Sequence, residues 1–334
     1  MSPSQAIATQ KMNAAQQVSQ QVNNLAAQYQ KSLQNAQQQA LDQQVNMKVT
    51  GAAHAAIPLY AIVAIPANSY QAVFDAITAG GYRLVSFSAY ADGPNLLYNV
   101  IWQSGNTLSW CSWNQLTGTQ YRQYFNEWVG KGYRLFRIHT YTWQNQIWYA
   151  PIFIQDHGPS WQAYYGVTVA QHQDKFNQLN QLNQQGYRLV NSSVTPLGGQ
   201  LYVAALYQQV PERWVSLGNL TATQYQNAFN QQTQAGLTLA DLSVTTVNGI
   251  PTFWANWSSQ KYGQGYGMCL ARYNIDAIGY FQQSTTAVQR SMWVRVLTGY
   301  MNGDTSNYAG LWASPAPPVL FGVNVPTTNF GLVP

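Results

Sequence analysis

Charge is the scarcest ingredient of this 334-residue chain. Asp, Glu, Lys and Arg make up 7% of it, against about 25% in typical soluble proteins. Solubility therefore falls to Gln, Asn, Ser, Thr and Tyr, and a surface so poor in charge has little repulsion to keep copies apart. The net charge of +5 comes from 15 basic and 10 acidic residues with no run of Lys or Arg. Nucleic-acid binding by phosphate neutralisation is therefore not expected.

Cysteine is nearly absent as well. Cys111 and Cys269 match no zinc or redox spacing, and two buried thiols are expected rather than a disulfide. No apolar run approaches 18 residues, so no membrane span is expected. The first residues carry no apolar h-region, so a standard signal peptide is not expected. The chain is expected outside the cell or on a particle surface, reached by a leaderless route or by lysis; retention inside is the alternative. His54, His139, His157 and His172 form no i, i+4 pair. The few carboxylates are spread one or two per repeat, which gives no acid–base pair. No Gly-rich loop precedes a helix. Neither metal, nor cofactor, nor enzymatic activity is expected.

Residues 1–50 are rich in Gln, Asn and Ala, with neither Gly nor Pro from residue 4 to 48. That composition favours one long helix. Its small and apolar positions, among them Val18, Val22, Leu25, Tyr29 and Leu33, recur with an eleven-residue period, which draws one nearly straight stripe. Three readings stand: a docking helix for other copies of the chain, a helix folded back on its own body, and a disordered Gln-rich tail.

From there a unit of about 51 residues repeats, the mark of a repeat architecture. Gly81-Tyr82-Arg83-Leu84, Gly132-Tyr133-Arg134-Leu135 and Gly186-Tyr187-Arg188-Leu189 recur in phase, and Gly236-Leu237-Thr238-Leu239 is a worn copy. Each unit predicts strand, helix, strand, strand, over residues 55–105, 106–158, 159–210, 211–260 and 261–314. The glycine ends the helix, and Asn248-Gly249 and Gly198-Gly199 supply tight hairpin turns. In the fifth unit Ser291 replaces the glycine, Tyr266–Tyr273 is the expected first strand and Asn274 the expected helix cap. The fold class is α+β: five antiparallel units with helices on one face. A partial barrel and a five-bladed ring both satisfy it. Residues 315–334 form a Pro-rich apolar tail with Phe321 and Phe330, expected to lie extended against another surface.

The Gly-Tyr-Arg-Leu-Val hairpin, followed by Tyr202-Val203-Ala204-Ala205-Leu206-Tyr207, resembles the bacterial tandem repeat domain family. Related repeats form the N-terminal domain of the polyglycine hydrolases. The resemblance covers residues 55–260 well and 261–314 weakly. In those hydrolases the resemblance places serine peptidase chemistry in a separate β-lactamase-like domain. The Ser-x-x-Lys of such a domain has one match here, Ser258-Ser259-Gln260-Lys261, with neither Lys-Thr-Gly nor a following helix.

Two groups of residues remain as candidates for binding. Arg83, Arg134 and Arg188 would project alike from each unit, as a guanidinium ladder for carboxylates or phosphates or as stems packed between repeats. Trp102, Trp143 and Trp148 lie at strand ends and turns, as inter-repeat core, as a protein interface or as platforms for sugar rings. The leading expectation is a non-enzymatic, self-assembling structural protein of a filament, sheath or particle surface. Its partners would be copies of itself, joined by the N-terminal helix and by Phe321 and Phe330 of the tail. A glycan- or peptide-binding module is the first alternative, and a serine hydrolase the second.

Overall fold

The computed structural model describes residues 59–103, 108–181, 186–210, 212–259, 269–290 and 292–313. The expected N-terminal helix, the apolar tail and Ser291 lie outside these residues. Five repeats are present, each strand, helix, strand, strand. The first runs β1 Leu59–Pro66, α1 Tyr70–Ala79, β2 Arg83–Asp92, β3 Asn95–Gln103. The second runs β4 Trp110–Ser112, α2 Gly118–Gly130, β5 Arg134–Trp143, β6 Gln146–Ile154. The third runs β7 Trp161–Thr168, α3 Val169–Gln181, β8 Tyr187–Leu197, β9 Gln200–Gln209. The fourth runs β10 Trp214–Leu220, α4 Ala222–Gln234, β11 Thr238–Val247, β12 Ile250–Ser258. The fifth runs β13 Cys269–Ile275, α5 Ala277–Gln289, β14 Trp293–Asn302, β15 Thr305–Ala313.

The recurring glycine does what its position requires. Gly81, Gly132, Gly186 and Gly236 all have φ between 77° and 83°, a conformation that turns the chain out of the helix and into the second strand at no steric cost. Helix starts are equally well marked. In α2 the Thr117 hydroxyl accepts from the backbone N–H of Gln120, whose side chain accepts from the Thr117 N–H, and Thr221 and Gln224 repeat this capping box in α4. Thr117→Ala and Thr221→Ala are each expected to cost about 1 kcal/mol. The two sites are far apart, so urea denaturation of the double variant should give close to the sum.

The fifth repeat departs from its expected boundaries. Its first strand, Cys269–Ile275, runs past the expected end at Tyr273, and Asn274 lies within it at φ 56°, while residues 266–268 lie outside the described residues. Ala64, Gly166 and Asn219 hold the same left-handed conformation in β1, β7 and β10, each beside a register shift. Asn274 is thus the bulge residue of its strand, and the α5 cap is Asp276, whose carboxylate accepts the N–H of Gly279 at 2.7 Å. Asn suits both roles, because its short amide caps helices and also tolerates positive φ.

Each repeat forms its own three-stranded antiparallel sheet, with the third strand in the middle and the second at an edge. The second strand of every sheet packs against that of the next, and β14 packs against β2. The five sheets therefore close into a ring of blades with the second strands innermost, and no hydrogen-bonded barrel forms. Five cores lie between blades. The one between the second and third joins Tyr121 and Phe125 of α2 to Phe153, Trp161 and Leu206. The one at the seam joins Leu59, Tyr90 and Ile101 of the first repeat to Tyr280, Trp293 and Trp312 of the fifth. Each helix thus covers one face of its own sheet and faces the bare side of the next blade. At the seam the Tyr90 and Tyr308 hydroxyls meet at 2.8 Å, and Ser306 donates to Asp92.

The ring has two unlike ends. Leu59 pairs with Gln103, which also pairs with Arg83, while Ala313 pairs with Trp293. The chain therefore enters and leaves the body where the inner strands begin, the entry end, and the hairpin turns lie at the opposite, turn end.

Candidate functional site

The inner strand of each blade is a sheet edge, so every second backbone N–H lacks a strand partner. Such an edge must be covered or satisfied. For the first three blades the next blade satisfies it with side chains. Ile138 N–H donates to Asn191 Oδ1 at 2.8 Å, Thr140 N–H to Ser193 Oγ at 2.8 Å, and Val194 N–H to Ser243 Oγ at 3.2 Å. Ser192 N–H donates to Asp241 Oδ2 at 2.8 Å, and Ala89 N–H to His139 Nε2 at 3.0 Å. Side-chain acceptors take the place of a sheet ladder, which is why the sheets remain separate while the ring stays tight.

These acceptors line the axis. Ser88, His139, Ser193, Ser243 and Thr298 hold equivalent places, each opposite a middle-strand residue on the same ladder rung. The Thr298 hydroxyl is buried without a hydrogen-bond partner. Nearer the entry end, Arg137 of the second blade donates to Asp241 of the fourth at 2.8 Å, bridging blades that are not neighbours. Asn191 donates to the same carboxylate at 3.3 Å. Burial raises the Asp241 pKa, and Arg137 with the hydrogen bonds opposes that rise.

Behind this bridge lies a cavity of about 30 Å³, room for about one water molecule. A second cavity of about 160 Å³ opens toward the turn end. It is bordered by Tyr90, Thr142, Thr195, Thr246, Tyr300 and Met301, with no charged side chain. His139 borders both cavities. Nε2 accepts from Ala89, so the ring is neutral, with Nδ1 facing Ser193 Oγ at 3.4 Å. Burial lowers the His139 pKa to about 4, partly offset by the Ala89 carbonyl. It lowers that of His172, whose Nδ1 meets the Tyr164 hydroxyl at 2.6 Å, to about 4 as well.

A pH dependence follows with a definite sign. Both folded pKa values lie below the unfolded value near 6.5, so the unfolded chain takes up the protons first. Stability is full above about pH 6.5 and falls as pH drops toward 4. The sealed His172 accounts for up to about 3 kcal/mol, and His139, which borders open cavities, for less. Urea midpoints at pH 7.5 and pH 5, above most carboxylate titration, should differ, and His172→Gln should flatten the difference.

The in-phase arginines lie at the entry end and are buried. Arg134 grips Asp156 with two hydrogen bonds, Nε to Oδ1 at 2.5 Å and Nη2 to Oδ2 at 2.8 Å. Arg188 pairs with Glu212 at 3.3 Å. Arg83 stands over the Phe136 ring at 5.2 Å, and burial lowers its pKa to about 10. Each arginine is sealed at the junction to the next repeat, and none presents an open guanidinium face. Trp102 is fully buried against Phe74 and Trp110. Trp143 and Trp148 are half-buried at the turn end of the second blade, where the Trp148 indole donates to the Trp143 carbonyl at 3.0 Å. Ser258 is the buried last residue of β12, and Lys261 lies outside the described residues. Cys111 is a free thiol whose pKa burial pushes up to about 12. Among the described residues no three His, Cys, Asp or Glu gather as a metal site, and no helix is long and apolar enough to cross a membrane.

The sequence carries a signal for the axial belt that emerges only when the repeats are set in register. Counting four residues on from Leu84, Leu135, Leu189 and Leu239 reaches Ser88, His139, Ser193 and Ser243. Polar residues recurring in the middle of otherwise apolar strands mark an interior that needs acceptors.

Comparison with family models matches residues 56–105, 107–156, 158–210 and 212–260 to the family described as polyglycine hydrolase-like, structural repeat. The chain belongs to this family. The four matches coincide with the first four blades and cover more than half of the chain. The fifth repeat lies outside them, yet it has the same strand order and closes the same ring. Comparison with curated protein sequences gives no match.

Proposed function

We propose that the protein is a non-enzymatic structural subunit that assembles with copies of itself through the segments flanking the ring, as part of an extracellular filament, sheath or particle surface. One observation carries this reading: both flanks leave the ring at the same end, while the in-phase arginines are spent inside the junctions between blades. The 7% charged composition adds to it, since such a surface opposes association weakly. Light scattering and negative-stain microscopy of the whole chain should show defined oligomers or filaments. Removing residues 1–50 and 315–334 should leave a folded monomer. A whole chain that is monomeric at high concentration contradicts the proposal.

The second reading is a module for a glycan or peptide. The uncharged cavity of about 160 Å³ at the turn end and the half-exposed Trp143 and Trp148 of the second blade, which pack on the core between the first two blades, favour this reading. Glycan and peptide arrays probed with the whole chain test it, and Trp148→Ala should remove any binding found. A serine hydrolase is a third reading, which labelling by a fluorophosphonate would support.

A further inference from the structure

We propose that the axial cavity at the turn end receives the apolar segment 314–334 of a second copy, so that rings stack head to tail. The inference rests on the self-assembly reading and specifies its contact.

The direction of the chain is the first argument. Segment 314–334 follows Ala313, which ends β15 at the entry end, and the cavity opens at the other. An inner strand of ten residues separates the two ends by about 33 Å. In a stack, the entry end of one ring abuts the turn end of the next. The segment then enters a neighbour's cavity at once, whereas its own lies a full strand length back around the outside. Its 21 residues span at most about 70 Å when extended, ample for the first course.

Chemistry is the second argument. One residue from each blade forms the rim: Ala91, Thr142, Pro196, Thr246 and Met301, none of them charged. Segment 314–334 also contains no charged residue and carries Val319, Leu320, Phe321, Phe330 and Leu332. An uncharged cavity disfavours a charged occupant, which would lose its hydration there without a partner. A volume of about 160 Å³ holds one or two side chains, but a helix about 10–12 Å across cannot enter it. The absence of charge selects segment 314–334 over residues 1–50, which carry Lys11, Lys31, Asp42 and Lys48.

Symmetry is the third. A cavity at one end and its occupant at the other make a heterologous contact, which continues indefinitely unless the rotation closes it. A limited oligomer is then a closed ring of copies, and an open one is a filament.

Two variants test this together. Ala91→Arg puts a charge on the rim at a partly exposed position, and a truncation removes residues 315–334. Each alone should be folded, with an unchanged melting temperature, and association should weaken at least tenfold. Mixed, they should form one-to-one dimers and nothing larger, because only the truncated copy offers an open cavity and only the other offers a segment. Assembly that survives Ala91→Arg, or a mixture that gives no dimer, overturns the axial contact. If truncation alone abolishes assembly, the self-assembly reading stands and only this contact falls. A whole chain that never assembles removes both.

Discussion

Asp156→Ala is expected to destabilise the protein by about 3–5 kcal/mol, among the largest effects available to a single carboxylate. The carboxylate lies on the linker between the second and third blades and accepts two hydrogen bonds from Arg134, whose side chain is 9% exposed. It also accepts the N–H of Gly158, at 3.1 Å. Removing it leaves a buried cation unpaired and a turn without its acceptor, whereas an exposed ion pair of the same length would be worth about 1 kcal/mol or less. The double variant Arg134→Met, Asp156→Leu should recover most of the loss, because replacing both charges removes the unpaired group. Glu212→Ala should cost less, since Glu212 is 21% exposed and stands 3.3 Å from Arg188. Urea denaturation of the four proteins checks this. A loss below about 1 kcal/mol for Asp156→Ala would mean that water reaches the pair.

Trp312→Ala is expected to cost about 3–5 kcal/mol as well, and here the shape of the transition says more than its midpoint. Trp312 is fully buried at the seam between the fifth and first blades, with its indole donating to Ser284 at 3.2 Å and its ring 5.7 Å from that of Tyr280. In a linear array of repeats, damage to the last unit unravels that end and leaves the others standing. A closed ring has no end, and each blade supplies half of two cores, while the second, third and fourth also supply acceptors for a neighbour's strand edge. Calorimetry should therefore show one transition moved down as a whole. A small early transition followed by an unshifted main one would point to an open array.

Much of this fold was legible because it is written five times. The phase of Gly-Tyr-Arg-Leu located the second strands of the first three repeats and its worn copy that of the fourth, and Gly81, Gly132, Gly186 and Gly236 occupy the positive-φ positions that only glycine fills without strain. Closure was not legible. A partial barrel and a ring use the same pattern within a blade, and they differ only in whether Tyr90 meets Tyr308, 218 residues apart. The misplaced cap at Asn274 came from one residue type serving two local geometries. The arginines misled for a related reason. A residue recurring in phase is required either by a ligand or by the fold, and phase alone does not separate these. Asp156 and Glu212 decide it, since each sits about two dozen residues downstream where pairing is visible only in space. The axial site was hidden because its parts, one serine, threonine or histidine per blade, carry no motif until five strands converge.

Ring closure is the claim on which the axial site, the two unlike ends and the stacking all depend. The most direct test is a double-mutant cycle on Tyr90 and Tyr308, using Tyr90→Phe, Tyr308→Phe and the pair, with stability read by urea denaturation. Both side chains are buried and their hydroxyls are 2.8 Å apart. Closure predicts a coupling energy of about 0.5–3 kcal/mol, the range for residues in contact. Additive losses, with no coupling between residues of the first and last blades, would contradict it.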